Sequence, residues 1–127
     1  MKTVILDTNF LLLQGRFKID IFAQIVDLIE EKVEFLTFDS VVKEIKEISK
    51  IKGKNGVFAR LALKLLKLRN VKILKGLKGD ADEDIICYCK INRDVIVATN
   101  DVELRKKLKE IGIKTIFLRG KKKLDLI

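Results

Sequence analysis

The sequence predicts an α/β protein, a three-layer α/β/α sandwich around a mostly parallel central sheet. Two observations carry this. Short apolar, β-branched runs alternate along the chain with segments whose apolar residues recur every three to four positions, the signatures of buried strands and of amphipathic helices. No proline, repeat or low-complexity linker interrupts the alternation, and strand–helix alternation is the pattern that closes a parallel sheet. Residues 1–127 then read as one domain, a length that supports one well-buried core.

Lys2–Leu6 is the first strand, because Val4, Ile5 and Leu6 form a continuous apolar run suited to burial on both faces. A short helix follows from Phe10. Asp20 caps a helix reaching about Glu31, with Ile21, Ile25, Leu28 and Ile29 as its stripe. Val33–Phe38 is the second strand, and Ser40 caps a helix reaching about Ile51. Residues 53–56, Gly-Lys-Asn-Gly, read as a loop. Val57–Arg69 is an amphipathic helix with Leu61, Leu65 and Leu68 on one side and Arg60, Lys64 and Lys67 on another. Val71–Leu74 is a short strand, and residues 75–80 form a flexible, basic loop with two glycines. A helix spans Ala81 to about Asn92, a strand Asp94–Ala98, and a helix Asn100 to about Ile111, ended by Gly112. Lys114–Leu118 is the last clear strand. The tail is basic from Arg119 and ends Leu124-Asp125-Leu126-Ile127, able to extend the sheet or to pack on a second copy as a homodimer contact.

Composition narrows the chemistry. The chain has no histidine, which removes histidine–metal sites, Ser-His-Asp triads and histidine bases. Cys87 and Cys89 stand two apart in a helix and so face different ways; they read as ordinary small residues of a reducing compartment. No apolar run approaches the ~20 residues of a membrane span, and the start is not a leader, so the expectation is a cytoplasmic protein with no membrane partner. A net charge of +9 points to a polyanionic partner, nucleic acid first. A Lys-, Ile- and Glu-rich composition is also that of heat-adapted proteins.

Four acids fall where periodicity asks for apolar residues. Glu44 shares a helix face with Val41, Ile45 and Ile48; Asp82 lies on the stripe of Ile85, Ile86 and Cys89; Asp101 extends the stripe of Leu104, Leu108 and Ile111. Asp7 ends the first buried strand, at the carboxyl end where α/β sites form. Each has a local explanation as well: Asp82 and Asp101 as caps or first-turn acids, Asp7 as the start of an Asx turn. If their strands and helices share one sheet edge, however, the four carboxylates converge. They cannot stay ionised together without cations, and with no nitrogen or thiolate donors the suited ions are Mg²⁺ or Mn²⁺, one or two of them. Such ions serve phosphodiester hydrolysis.

At these residues the chain resembles the PIN-domain family. Leu6-Asp7-Thr8-Asn9-Phe10-Leu11 is similar to its opening motif, and Asp39-Ser40-Val41-Val42-Lys43-Glu44-Ile45 to the segment with the second acid, with Asp39 where many members have proline. Ala81-Asp82-Glu83-Asp84-Ile85 and the run from Ile96 to Leu104 are similar to the third and fourth motifs. The order and spacing fit across nearly the whole chain. The resemblance implies a PIN-like sandwich and a Mg²⁺- or Mn²⁺-dependent endoribonuclease, with Asp7, Glu44, Asp82 and Asp101 as catalytic, metal-holding acids. It makes Thr8, Asn9 and Thr99 polar supporters of those acids. Asp84 is a further supporting candidate, although it stands on another helical face, which argues against direct ligation. Two roles occur in the family: a toxin silenced by an antitoxin, and an RNA-processing nuclease such as those that mature ribosomal RNA. The alternatives are a non-catalytic PIN-like module that binds RNA or protein, a phosphoryl-transfer receiver and a flap-type DNA nuclease. Lys121-Lys122-Lys123 is a candidate contact for the phosphate backbone.

Overall fold

The computed structural model describes every residue from Met1 to Ile127. In chain order the elements are β1 (Lys2–Leu6), α1 (Thr8–Phe17), α2 (Ile21–Ile29), β2 (Val33–Phe38), α3 (Asp39–Ser49), α4 (Lys54–Leu68), β3 (Lys72–Leu74), α5 (Ala81–Ile91), β4 (Val95–Ala98), α6 (Val102–Glu110), β5 (Lys114–Arg119) and β6 (Lys123–Leu126). They build one six-stranded sheet in the order β3-β2-β1-β4-β5-β6. The first five strands pair in parallel. β6 folds back antiparallel on β5 with Arg119 opposite Lys123, so the apolar tail extends the sheet.

The path of the chain sets the layers. From β1 to β3 the chain steps one way along the sheet, and from β3 through β4 to β5 it steps the other way. Right-handed crossovers therefore put α1–α4 on one face and α5 and α6 on the opposite one. Phe35 and Phe38, an odd number of positions apart on β2, report both layers: Phe35 packs edge-on against Phe22 of α2, and Phe38 against Tyr88 of α5. Val4, Ile5, Leu6, Val97 and Ala98 are fully buried between the layers.

Four local expectations need correction. α1 begins at Thr8, two residues before Phe10, because Asp7 caps it. Ser40 is no cap: α3 starts at Asp39, Phe38 takes the capping position without a side-chain bond, and Ser40 is buried in the first turn. Residues 54–56 belong to α4, which Gly53 opens at φ 101°. The buried face of α4 is Gly56, Ala59, Ala62, Leu65 and Leu66, whereas Leu61 and Leu68 are exposed. Small residues face inward because neighbouring segments pass close by; a Cβ on Gly56 would lie 1.9 Å from the Ile51 carbonyl oxygen.

Candidate active site

The sheet order reverses between β1 and β4, and a crevice opens beyond their carboxyl ends, the position where α/β sheets bind ligands. Asp7 follows β1 and Thr99 follows β4. Each continues its ladder by one bond, Asp7 N–H donating to the Ala98 carbonyl at 3.1 Å and Thr99 N–H to that of Ile116 at 2.9 Å. The two side chains meet. Thr99 Oγ1 donates to Asp7 Oδ2 at 2.7 Å, while Thr8 N–H donates to Oδ1 at 2.8 Å. Asp7 is only 3% exposed. Its burial pushes the carboxyl up to about 6; the Thr99 and Thr8 bonds pull against this, and Asp82 and Glu44 add repulsion.

Around Asp7 the crevice is an open cleft of about 240 Å³ lined by Asp7, Thr8, Asn9, Leu12, Glu44, Ile48, Asp82 and Asp101. All four sequence-predicted acids are thus on one cleft, with Thr8 and Asn9. Thr99 stands behind it, linking two of them: its hydroxyl donates to Asp7 and accepts the Asp101 N–H at 3.1 Å. Thr8 Oγ1 donates to Glu44 Oε1 at 2.8 Å. Asn9 Oδ1 accepts from Asn100 N–H at 3.2 Å, which fastens α1 to the β4–α6 turn. Asp101 also caps α6, its Oδ1 accepting from Glu103 and Leu104 N–H.

Glu44 departs from expectation. It is exposed at the rim of the cleft rather than buried with Val41 and Ile45. Asp82 is half-buried and makes no cap, because Asp80 takes that place on α5. Its carboxyl is raised by partial burial and then by the charges of Asp101, Asp80 and Glu44, with Lys107 acting the other way. Lys107, missed in the sequence, is a cation near this set; its only signal there is a lysine flanking the apolar stripe of α6.

Asp84 lies outside the cleft. It is 2% exposed and accepts from Ser40 Oγ at 2.6 Å and from Lys78 N–H at 2.7 Å. Asp39 Oδ1 accepts Gly76 N–H at 2.9 Å. The two acids together pin the 75–80 loop to the starts of α3 and α5, the helices that carry Glu44 and Asp82. Asp84 is a positioning residue by this geometry, and Asp39, where the resemblance finds proline, supplies the second bond.

The donor set suits a hard divalent cation: four carboxylates, two hydroxyls, no imidazole, with Asp7 and Asp82 raised by burial first and by their acidic neighbours second. In the rotamers present, with Glu44 turned onto Thr8, no three acids are grouped closely enough to hold an ion. The two cysteines are free; Cys89 is buried and its thiol pushed up to about 12, so it is inert. No helix is long and apolar enough to cross a membrane.

Comparison with known proteins agrees with the fold. A family model described as a PIN-like domain matches residues 4–121. Ribonuclease VapC4 of Methanocaldococcus jannaschii is 35% identical over 127 residues, covering 99% of this chain and 97% of the relative. Among solved structures, the PIN domain endonuclease Utp24 superposes with a TM-score of 0.82 at 28% identity, covering 98% of this chain and 90% of that one. A domain of a functionally unknown protein from Methanocaldococcus jannaschii shares the fold, with a TM-score of 0.62 at 19% identity over 94% of this chain and 93% of that one. Family model, full-length relative and superposition coincide on the same residues, and the chain belongs to the PIN-like domain family.

Proposed function

We propose that this protein is an endoribonuclease that hydrolyses RNA phosphodiester bonds with Mg²⁺ or Mn²⁺, and that Asp7, Glu44, Asp82 and Asp101 hold the metal. The observation that carries the reading is the meeting of these four acids on one open cleft at the switch point of the sheet. The names of the similar proteins, a ribonuclease and an endonuclease, support it.

A bound divalent ion supplies a water activated at neutral pH and charge stabilisation for the leaving oxygen. The chain's own residues do the rest. Thr99 and the Thr8 amide fix both oxygens of Asp7, so this carboxylate holds one orientation without reorganisation. The Asp101 cap uses Oδ1 and leaves Oδ2 with no hydrogen bond, on a residue that lines the cleft. Glu44, exposed on the cleft, accepts the Thr8 hydroxyl on one oxygen. Lys107 offsets part of the negative charge where a phosphodiester must approach. The same reaction serves a toxin held by an antitoxin and a nuclease of RNA maturation, the two partner settings the family offers. A merely RNA-binding module has no use for this convergence of four mutually repelling acids.

The test is cleavage of an RNA with single-stranded and hairpin regions, in Mg²⁺, Mn²⁺ or EDTA, by the wild type, Asp7→Asn and Asp101→Asn. Metal-dependent cleavage that drops by roughly 100-fold or more in both variants is expected. Binding without cleavage, equal in all three proteins, would put the acids in a structural role and favour the binding module.

A further inference from the structure

A second concave feature begins one residue from the acid cleft. It is a groove of about 470 Å³ between α6 and the β5–β6 edge of the sheet. Asp101 lines the cleft and its chain neighbour Val102 lines the groove, so the two meet at the N-terminal end of α6. The groove follows α6 from Val102 to Lys109, a length of about 10 Å. Its charged side chains are those of Arg105, Lys106, Lys109 and Lys114, and no acidic side chain lines it. None of these four cations takes part in an ion pair.

Arg105 is held ready. Its guanidinium lies over the Phe117 ring at 3.9 Å from the centroid, and its buried Nε has no partner. A guanidinium stacked on an aromatic ring keeps its N–H edge in a fixed orientation, which suits an anionic oxygen. Arg119 stands over the same ring at 5.8 Å. Val102, Ile113 and Ile127 add apolar lining to the groove.

We infer that this groove binds the sugar–phosphate backbone of the RNA strand whose scissile bond lies in the acid cleft. Arg105, Lys106, Lys109 and Lys114 contact phosphates flanking that bond. The inference rests on the endoribonuclease reading and adds to it where the rest of the strand runs. Charge complementarity selects the occupant: a set of unpaired cations that starts beside a phosphodiester site matches a polyanion of regular charge spacing. Arg105, Lys106 and Lys109 of α6 line the groove, whereas Lys107 of the same helix acts on Asp82, so the one helix serves both cleft and groove.

The experiment compares wild type, Lys106→Gln/Lys109→Gln, and a control, Lys64→Gln/Lys67→Gln, with the same charge change on the outer side of α4. The probe is fluorescein-labelled oligouridine, bound at a series of KCl concentrations in EDTA so that cleavage is off. Loss of two single-strand phosphate contacts lowers the slope of log affinity against log salt by about 1.4 and weakens binding roughly tenfold. The control keeps the wild-type slope. In Mg²⁺, KM for the oligomer rises in the groove variant with kcat unchanged, and cleavage of the dinucleotide UpU is unaffected. An unchanged slope in the groove variant, or an equal drop in the control, overturns the inference. A wild type that binds oligouridine through the groove without cutting any RNA overturns the nuclease reading alone.

Discussion

Asp7 concentrates the chemistry of the molecule in one side chain. It caps α1, bonds Thr99 behind it and faces three other acids, and its carboxyl stands at about 6 in place of 3.8. A carboxyl raised on folding favours the folded state only while protonated. Its contribution is full below about pH 4 and is lost as pH rises through about 6. Without metal, the protein is therefore less stable at pH 7.5 than at pH 5 by an amount on the order of 1–2 kcal/mol from this group. Asp7→Asn removes the ionisation while its amide oxygen still accepts from Thr8 N–H. Thermal melts in EDTA should show this variant at least as stable as wild type at pH 7.5, with the gap closing at pH 4 to 5, although cleavage is lost. A variant less stable than wild type at both pH values would make Asp7 a structural cap. Asp7 and Asp101 are legible in the sequence because an acid ending a buried strand, or leading an apolar stripe, breaks a period. Asp84 is legible as an acid and not by its role, since helical spacing shows the face a residue takes and not the loop that comes down on that face.

At the scale of elements, the 75–80 loop determines where α5 starts and so where Asp82 points. Asp84 and Asp39 hold it by bonds to the Lys78 and Gly76 amides. Gly76 lies so close that a Cβ there would stand 1.9 Å from Asp84 Oδ2. The carboxylate cannot yield without releasing Ser40 and Lys78. Gly76→Ala should cost about 1–3 kcal/mol in urea unfolding and speed hydrogen exchange at the Lys78 amide. A cost below about 0.5 kcal/mol, with that amide still protected, would mean the loop moves aside freely. Most elements are legible from period and punctuation. The buried face of α4 is not, because period alone favours large apolar residues. Its leucines at 61 and 68 make a tidy stripe, yet the crowded face where α1 and α3 pass selects Gly56, Ala59 and Ala62. Size complementarity between helices depends on tertiary approach, which no single segment encodes.

For the whole molecule, the sheet order joins sites far apart in sequence. Asp7 and Thr99 are neighbours only because β4 inserts beside β1, and the alternation of strands and helices predicts a parallel sheet without fixing that order. Convergence of the acids is therefore conditional at the level of sequence, and the topology supplies the condition. The same topology gathers like charge at one edge and gives the metal-free fold a strain spread over α1, α3, α5 and α6. An ion held by these acids binds the folded chain alone, since unfolding scatters residues 7, 44, 82 and 101. At tenfold its dissociation constant, Mg²⁺ should then stabilise the protein by about 1.4 kcal/mol, a rise of roughly 5 °C in Tm for a chain of this size. Asp7→Asn/Asp101→Asn should show no such rise. KCl of matched ionic strength should not reproduce it, because screening relieves diffuse surface charge and not an oriented set of ligands. Equal shifts in wild type and double variant, or a full effect from KCl, would reduce the cleft to a patch of negative potential and remove the metal from the mechanism, independently of whether any RNA is cut.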